Sequence, residues 1–579
     1  MVSWTPVAAR RAVTTCCALV VACASGTGAV AAAADNARWW AAPPGDEAIQ
    51  GYAGQVSALP GENVDLKVSV PGGDRYRVLV FRLGDRTGQV DDAELLTCIP
   101  SCAADKAGRD QGPPETDPQS GRIRAPWATT DRLLVDPSWG SGYLVVQFLL
   151  TSGRAAGRAA WTPLIVREAP HGRHAAILIQ VPTNTLQAYN DWGGKSTYVT
   201  RIAGPTATHV SFDRPYGQSL IGWEYPLVRF LENRRYDVAY QTDLDTDRDP
   251  ASLQQHRLVI VNGHDEYWTS KIRDGFERAR DTGTNLLFFG ANIGYWQVRY
   301  EDDGRTMVSY KAVAPDPVSD PRLRTALFRE LGRPECTLLG IQHQGGLVRW
   351  GRGDYKVNAG ALADPWFAGT GFAAGDRVTN VVSTETDTVP DWLAATGKTC
   401  IDQPLTVLLR ADRGGDSLGD ARFTRYVAPS GARVASAGTL ELGVAVDDVA
   451  QRMYGQPSLV DPRMQRFLGN ALLDLLRPAP VAAVGTTHDG VVTVRTGVLV
   501  DPRTRVELYR VERGSAFAPG APGVTLVCGR CGLRFTEPRR PGDRYVVVGA
   551  DAWGHSLTTD VRIRRGRHPD RVRPVRSPR

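Results

Sequence analysis

Between residues 257 and 297, two unbroken apolar runs, 258–261 and 286–289, alternate with polar stretches rich in aromatic residues. The first run leads into Asn262-Gly-His-Asp-Glu-Tyr-Trp268 and then a charged segment of helical spacing; the second leads into Gly290-Ala-Asn-Ile-Gly-Tyr-Trp296. Short continuous apolar runs suit strands buried on both faces, and a helix between two of them predicts a strand–helix–strand unit with parallel strands. Ligands of such units collect outside the carboxyl ends of the strands. The two loops ending in Tyr-Trp are therefore expected on one edge, with Tyr267 and Tyr295 as neighbours.

The pattern differs on either side. Residues 35–170 hold short runs of alternating polarity, at 64–70, 75–82 and 142–148, divided by Gly, Pro and Asp turns, which predicts an antiparallel β-sandwich of immunoglobulin-like type. From residue 171 to 478 strand-like and helix-like patterns alternate: a buried run at 175–181, helical spacing at 224–235, the unit just described, a helix near 321–332 and a closing amphipathic helix at 464–476. Residues 481–561 alternate again and predict a second small sandwich. The expected fold class is thus α/β, a central, mostly parallel sheet of glutamine-amidotransferase-like form flanked by N-terminal and C-terminal β-sandwich modules.

Composition changes this picture at the two ends. The first 34 residues join Arg10 and Arg11 to an apolar segment and an alanine-rich stretch, which reads as an export signal; an alternative reading makes Cys23 a lipidated anchor. No later stretch predicts a transmembrane helix. The net charge of +6 is local: residues 562–579 carry eight arginines against Asp570, leaving the remainder near −1. That argues for a disordered basic tail and against a nucleic-acid-binding face. Without Cys16, Cys17 and Cys23, six cysteines remain, an even number that suits disulfides in an exported chain. The close spacings favour bridges 98/102 and 528/531, leaving 336 with 400.

Familiar catalytic motifs are missing. There is no G-x-S-x-G elbow, no Walker-type phosphate loop and no H-E-x-x-H, and no cysteine occupies the turn after a central strand. What the loops offer is Tyr267, Tyr295, two tryptophans, His264, Asp265, Glu266 and Asn292. Tyr and Trp at a sheet edge commonly pack with one polar tip hydrogen-bonded, so residue type alone leaves their role open.

Several motifs occur in one order: residues 189–198 (YNDWGGKSTY), 210–216 (VSFDRPY), 264–268 (HDEYW), 290–296 (GANIGYW) and 428–439 (APSGARVASAGT). Together they resemble the catalytic domain of the N,N-dimethylformamidase large (beta) subunit and its exported actinobacterial relatives, over roughly 300 residues from position 171 to the 464 helix. The resemblance implies a mononuclear Fe³⁺ held by two tyrosines and a glutamate. Tyr267 and Tyr295 match the tyrosine motifs, and Glu385 matches the glutamate, although Ser383-Thr384 stands where the family has Gly-Tyr. Hard anionic oxygen donors suit Fe³⁺, and three protein ligands leave room for water and substrate. Asn292, His264 and Glu266 are the accompanying candidates for orienting groups or proton transfer.

The function implied is exported, metal-assisted hydrolysis of a small amide C–N bond. The alternative is a secreted or cell-surface ligand-binding module, glycan-binding for example, in which the α/β domain has lost its metal. A homo-oligomer and a small partner subunit encoded elsewhere are both left open.

Overall fold

The structure is a computed structural model. It describes residues 39–565 apart from 43–44, 87–91, 218–219, 345–352, 384, 391–392, 394–396, 398, 413–419, 479–482, 489–490, 497–504, 530–533, 539 and 551–555. The expected export signal with its Cys23 alternative, Cys531 of the 528/531 bridge, and residues 566–579 of the basic tail lie outside the described residues.

A nine-stranded sheet carries the central part of the chain. In spatial order its strands are Val238–Thr242, Ile177–Val181, Leu258–Gly263, Asn285–Gly290, Arg433–Ser436, Ala421–Val427, Thr406–Ala411, Gly353–Val357 and Arg377–Val382. The first five pair in parallel. The remaining pairings are antiparallel.

The mostly parallel α/β sheet expected from the sequence is therefore corrected. The sheet is mixed, it is one of several separate and largely antiparallel sheets, and strand outweighs helix at 37% against 19%. Among the described residues beyond 297, only Arg433–Ser436, buried at every position but half polar in sequence, joins the parallel set of this sheet. The strands Gly353–Val357, Arg377–Val382 and Thr406–Ala411 mix exposed or partly exposed positions with buried ones and pair antiparallel. Helices are also too few to cover both faces of a wholly parallel sheet. The helix expected near 321–332 is a series of turns.

Where the apolar pattern is strong, local structure follows it. Leu258–Gly263 and Asn285–Gly290 are buried at every position. The helix Ser270–Asp281 between them buries Ile272, Phe276 and Ala279, the spacing of one helical face. Thr269 caps it by accepting from the Ile272 amide at 3.2 Å, a contact worth about 1 kcal/mol. Phe276 stacks on Trp268 with centroids 4.6 Å apart, so the helix clamps the loop that ends in Trp268.

On the N-terminal side, strands Gln50–Ala53, Asn63–Ser69 and Asp131–Leu134 form one sheet, and a six-stranded sheet includes Arg75–Leu83, Gly142–Leu150 and Ala159–Val166. Val64, Leu66 and Leu133 from the first share a core with Val78, Val146 and Leu164 from the second. Near the C-terminus two four-stranded sheets share a core through Val492, Val494, Leu508 and Val547. Arg562–Arg565, assigned to the tail from sequence, pairs in parallel with Ala483–His488.

Disulfides join Cys98 to Cys102 and Cys336 to Cys400, as the spacing led us to expect. They are compatible with an extracytoplasmic location. No helix among the described residues is long and apolar enough to cross a membrane.

Candidate functional site

The site begins at the carboxyl ends of Leu258–Gly263 and Asn285–Gly290. Gly263 and Gly290 are register partners, and a Cβ on Gly290 would overlap the Gly263 carbonyl oxygen. Only glycine allows that approach. The loops beyond are then zipped together: the amide of Gly294 donates to Asp265 O at 2.8 Å, and those of Tyr295 and Trp296 to Glu266 O, each at 2.9 Å. Tyr267 becomes the register partner of Trp296.

The helix Thr183–Tyr189, after the strand Ile177–Val181, holds the first loop from beneath. Thr185 Oγ1 accepts from the Glu266 amide at 2.9 Å, and Asn184 Nδ2 donates to Tyr267 O at 2.9 Å. Gln180 Nε2 donates to Asp265 Oδ2 at 2.6 Å. Asn292 turns the second loop at φ +52°, a left-handed conformation that asparagine tolerates better than most residues. Its amide donates to Asp387 Oδ1 at 2.9 Å, while its side-chain oxygen is buried with no hydrogen-bond partner.

These supports converge on Glu266, which is buried and multiply hydrogen-bonded. Tyr198 Oη donates to it at 2.8 Å, Tyr189 Oη at 3.1 Å and Trp296 Nε1 at 3.0 Å. His264 Nε2 lies 3.3 Å from Glu266 Oε2 and 3.3 Å from Glu385 Oε2. Burial works against ionising Glu266, but the His264 contact, Lys311 and the Tyr198 hydrogen bond together hold its pKa below the usual value. Burial likewise opposes the His264 imidazolium, yet the charges of Glu385 and Glu266 lift it to about 9.

Lys311 completes the cluster. Its ammonium sits 3.0 Å from the Tyr198 ring centroid and has no hydrogen-bond partner. Burial drives its pKa down to about 7, against the pull of Glu266 and Glu385. Tyr267 is buried, Tyr189 is partly buried, and Tyr198 keeps 41% of its surface exposed although its hydroxyl faces the cluster. All three phenols are pushed above the ordinary tyrosine value, first by desolvation and then by the Glu266 charge.

The structure thus brings His264, Glu266 and Glu385 into one cluster, with Asn292 tied to Asp387 beside it. The two tyrosines keep different company. Tyr267 Oη donates to Tyr198 Oη at 2.6 Å. Tyr295 packs edge-on to Trp296 and His343, with the Arg329 guanidinium over its ring, and feels the charges of both Glu266 and Glu385. Sequence reasoning missed Tyr189, Tyr198 and Lys311 as site residues and gave Trp296 no role. The signal for the first two was the aromatic, glycine-rich segment 189–198, which fits neither helix nor strand period; nothing in the pattern around Lys311 points to the site.

The donor set can be tested against a hard cation. Glu385 Oε2 is buried and accepts no hydrogen bond. Together with the phenols of Tyr267 and Tyr295 it offers oxygen donors of the type that ferric ion prefers. The residues fit such an ion in chemistry. The only group of three or more His, Cys, Asp or Glu ligands gathered closely enough for a metal among the described residues is a different one, Glu168, His174 and His256.

A search of curated proteins finds no match. The family model for the N,N-dimethylformamidase beta subunit-like C-terminal domain matches residues 77–454. The match starts inside the strand Arg75–Leu83, so it takes in much of the N-terminal β region, which the sequence reading had left outside the resemblance. Every candidate site residue falls within it, and the chain belongs to the N,N-dimethylformamidase beta subunit-like family.

Proposed function

We propose that the chain is an exported amidohydrolase that cleaves the C–N bond of a small amide with help from a ferric ion. The observation that carries this reading is the buried cluster of His264, Glu266, Glu385 and Lys311, walled by Tyr189, Tyr198 and Trp296, within the family-matched segment. Two carboxylates and two cationic groups gathered out of water form a proton-handling arrangement, and perturbed, desolvated groups of this kind mark functional sites.

Ferric ion held by Tyr267, Tyr295 and Glu385 would supply Lewis acidity to the amide carbonyl and to the attacking water. The remaining chemistry belongs to the chain. His264 bridges Glu266 and Glu385, keeping both carboxylates oriented and their charge compensated. Glu266, fixed by three donors, can hold a proton taken from water. Lys311 has protons to give and no acceptor of its own, which suits delivery to the departing amine. Tyr267, fully buried, and the partly buried Tyr189 and Trp296 limit the access of bulk water and strengthen these interactions.

The test is turnover of a simple formamide by the iron-reconstituted chain, compared with Glu266→Gln and Lys311→Met. Retained iron with at least about 100-fold lower kcat in both variants supports the assignment. Full activity in Glu266→Gln would overturn it.

A further inference from the structure

A second constellation lies at the opposite, amino-terminal ends of two of the same parallel strands. Glu168 follows the strand Ala159–Val166, His174 precedes Ile177–Val181, and His256 precedes Leu258–Gly263. Ile177 and Leu258 are register partners, which brings the connection carrying Glu168 and His174 beside the segment carrying His256. We propose that Glu168, His174 and His256 form a divalent transition-metal site, best suited to Zn²⁺, that ties the N-terminal β region to the central sheet.

The geometry supports this in three ways. One potential ligand atom from each residue lies within 4.8 Å of the other two. His256 Nε2 is 3.2 Å from Glu168 Oε1. Ligands about 2.0–2.1 Å from a tetrahedral zinc stand about 3.3 Å apart, so that separation is already the edge of a zinc tetrahedron. His174 Nδ1 is closer, at 2.6 Å from the same oxygen, and would open slightly to admit an ion.

Second, the tautomer of His256 is fixed. His256 Nδ1 lies 2.8 Å from the carbonyl oxygen of Ala175, which can only accept, so Nδ1 carries the proton. In the neutral ring the Nε2 lone pair then faces a carboxylate oxygen across 3.2 Å, a repulsive arrangement unless a cation or a further proton lies between them. A ligating histidine typically donates its other N–H to a backbone carbonyl in this way, which fixes its orientation. Glu168 is steadied too, its Oε2 accepting from the Ala175 amide at 3.0 Å.

Third, the cluster lines a cavity of about 130 Å³ that also includes Asp245, Gln241 and Ser252. His256 is buried, whereas Glu168 and His174 remain partly exposed. The ion would have an entry path and space for a water as fourth ligand. Three ligands from two chain segments, the 167–176 connection and the approach to Leu258–Gly263, would cross-link the crossover between two sheets, so the expected consequence is stability rather than catalysis.

The experiment loads the chelator-stripped full chain with Zn²⁺ alone, and separately with Co²⁺, measuring stoichiometry and thermal midpoint. We expect one equivalent of either metal, a raised midpoint, and a Co²⁺ visible spectrum of tetrahedral type. Binding, shift and spectrum should vanish in Glu168→Gln and in His174→Ala, whose partly exposed side chains can change without opening the core, and should persist in Tyr267→Phe. No binding by the folded wild-type chain, or unchanged binding in both ligand variants, would overturn the proposal.

Discussion

The imidazole of His264 stands 3.3 Å from a carboxylate oxygen of Glu385 and equally far from one of Glu266. One residue thus couples the loop after Leu258–Gly263 to a distant segment after Arg377–Val382. With both carboxylates buried, removing the imidazole leaves two negative charges facing each other in a region of low polarity. His264→Asn is expected to reduce iron affinity or turnover by about 10–100-fold, as loss of a ligand-orienting group typically does. Iron titration alongside steady-state kinetics checks this; unchanged values for both would remove His264 from the account.

Tyr198 donates to Glu266 at 2.8 Å and receives from Tyr267 at 2.6 Å, so it supports a buried carboxylate from one side and a phenol from the other. Hydrogen bonds to buried charges contribute about 1.5–3 kcal/mol each. Tyr198→Phe should lower stability toward denaturant by about that amount. Tyr189→Phe, whose contact with Glu266 is longer at 3.1 Å, should cost less. Equal loss in the two variants would place the support elsewhere.

Gly290→Ala puts a methyl group against the Gly263 carbonyl at the point where both loops spring from the sheet. Overpacking of this kind costs about 1–3 kcal/mol, and here the obstacle is backbone. The variant should both unfold more readily and bind metal more weakly, since the loops on either side carry Tyr267 and Tyr295. A stable variant with unaltered binding would show that the strand ends have room to part.

Glu224 underlies the site, its side chain against Gly263, fully buried with neither carboxylate oxygen hydrogen-bonded. Burial raises its pKa to about 8 from 4.5. Here the folded state binds the proton more tightly than the unfolded chain, so the protonated form favours folding. Its contribution is fully present below about pH 4.5, falls as pH rises toward 8, and levels off above that. Glu224→Gln should flatten stability across this window in denaturant titrations at several pH values. A wild-type profile that rises with pH, or one the variant does not flatten, would rule this group out as its source.

What the sequence made legible follows burial. Leu258–Gly263 and Asn285–Gly290 were readable because strands buried on both faces leave unbroken apolar runs. Ser270–Asp281 was readable because one face of a helix repeats at Ile272, Phe276 and Ala279. The antiparallel half of the nine-stranded sheet was not, because pairing between Thr406–Ala411 and Gly353–Val357 depends on long-range register that no local period encodes. The site divides in the same way. Loops ending the strands advertised His264, Glu266 and Tyr267, whereas Lys311 reaches Tyr198 only through the folded path of residues between strands. The acceptor for Tyr267, the Tyr198 hydroxyl, was equally hidden, since a phenol's choice between Tyr198 and a neighbour is made by tertiary packing.

A ferric ion held by phenolates and a carboxylate would show itself in the iron content and visible absorption spectrum of the purified chain after ferric reconstitution. The expected result is about one iron per chain and a phenolate-to-iron charge-transfer band that Tyr267→Phe and Tyr295→Phe each weaken or abolish, with Glu385→Gln losing the metal. A folded chain that stays colourless and iron-free, or a band indifferent to both tyrosine substitutions, would contradict it.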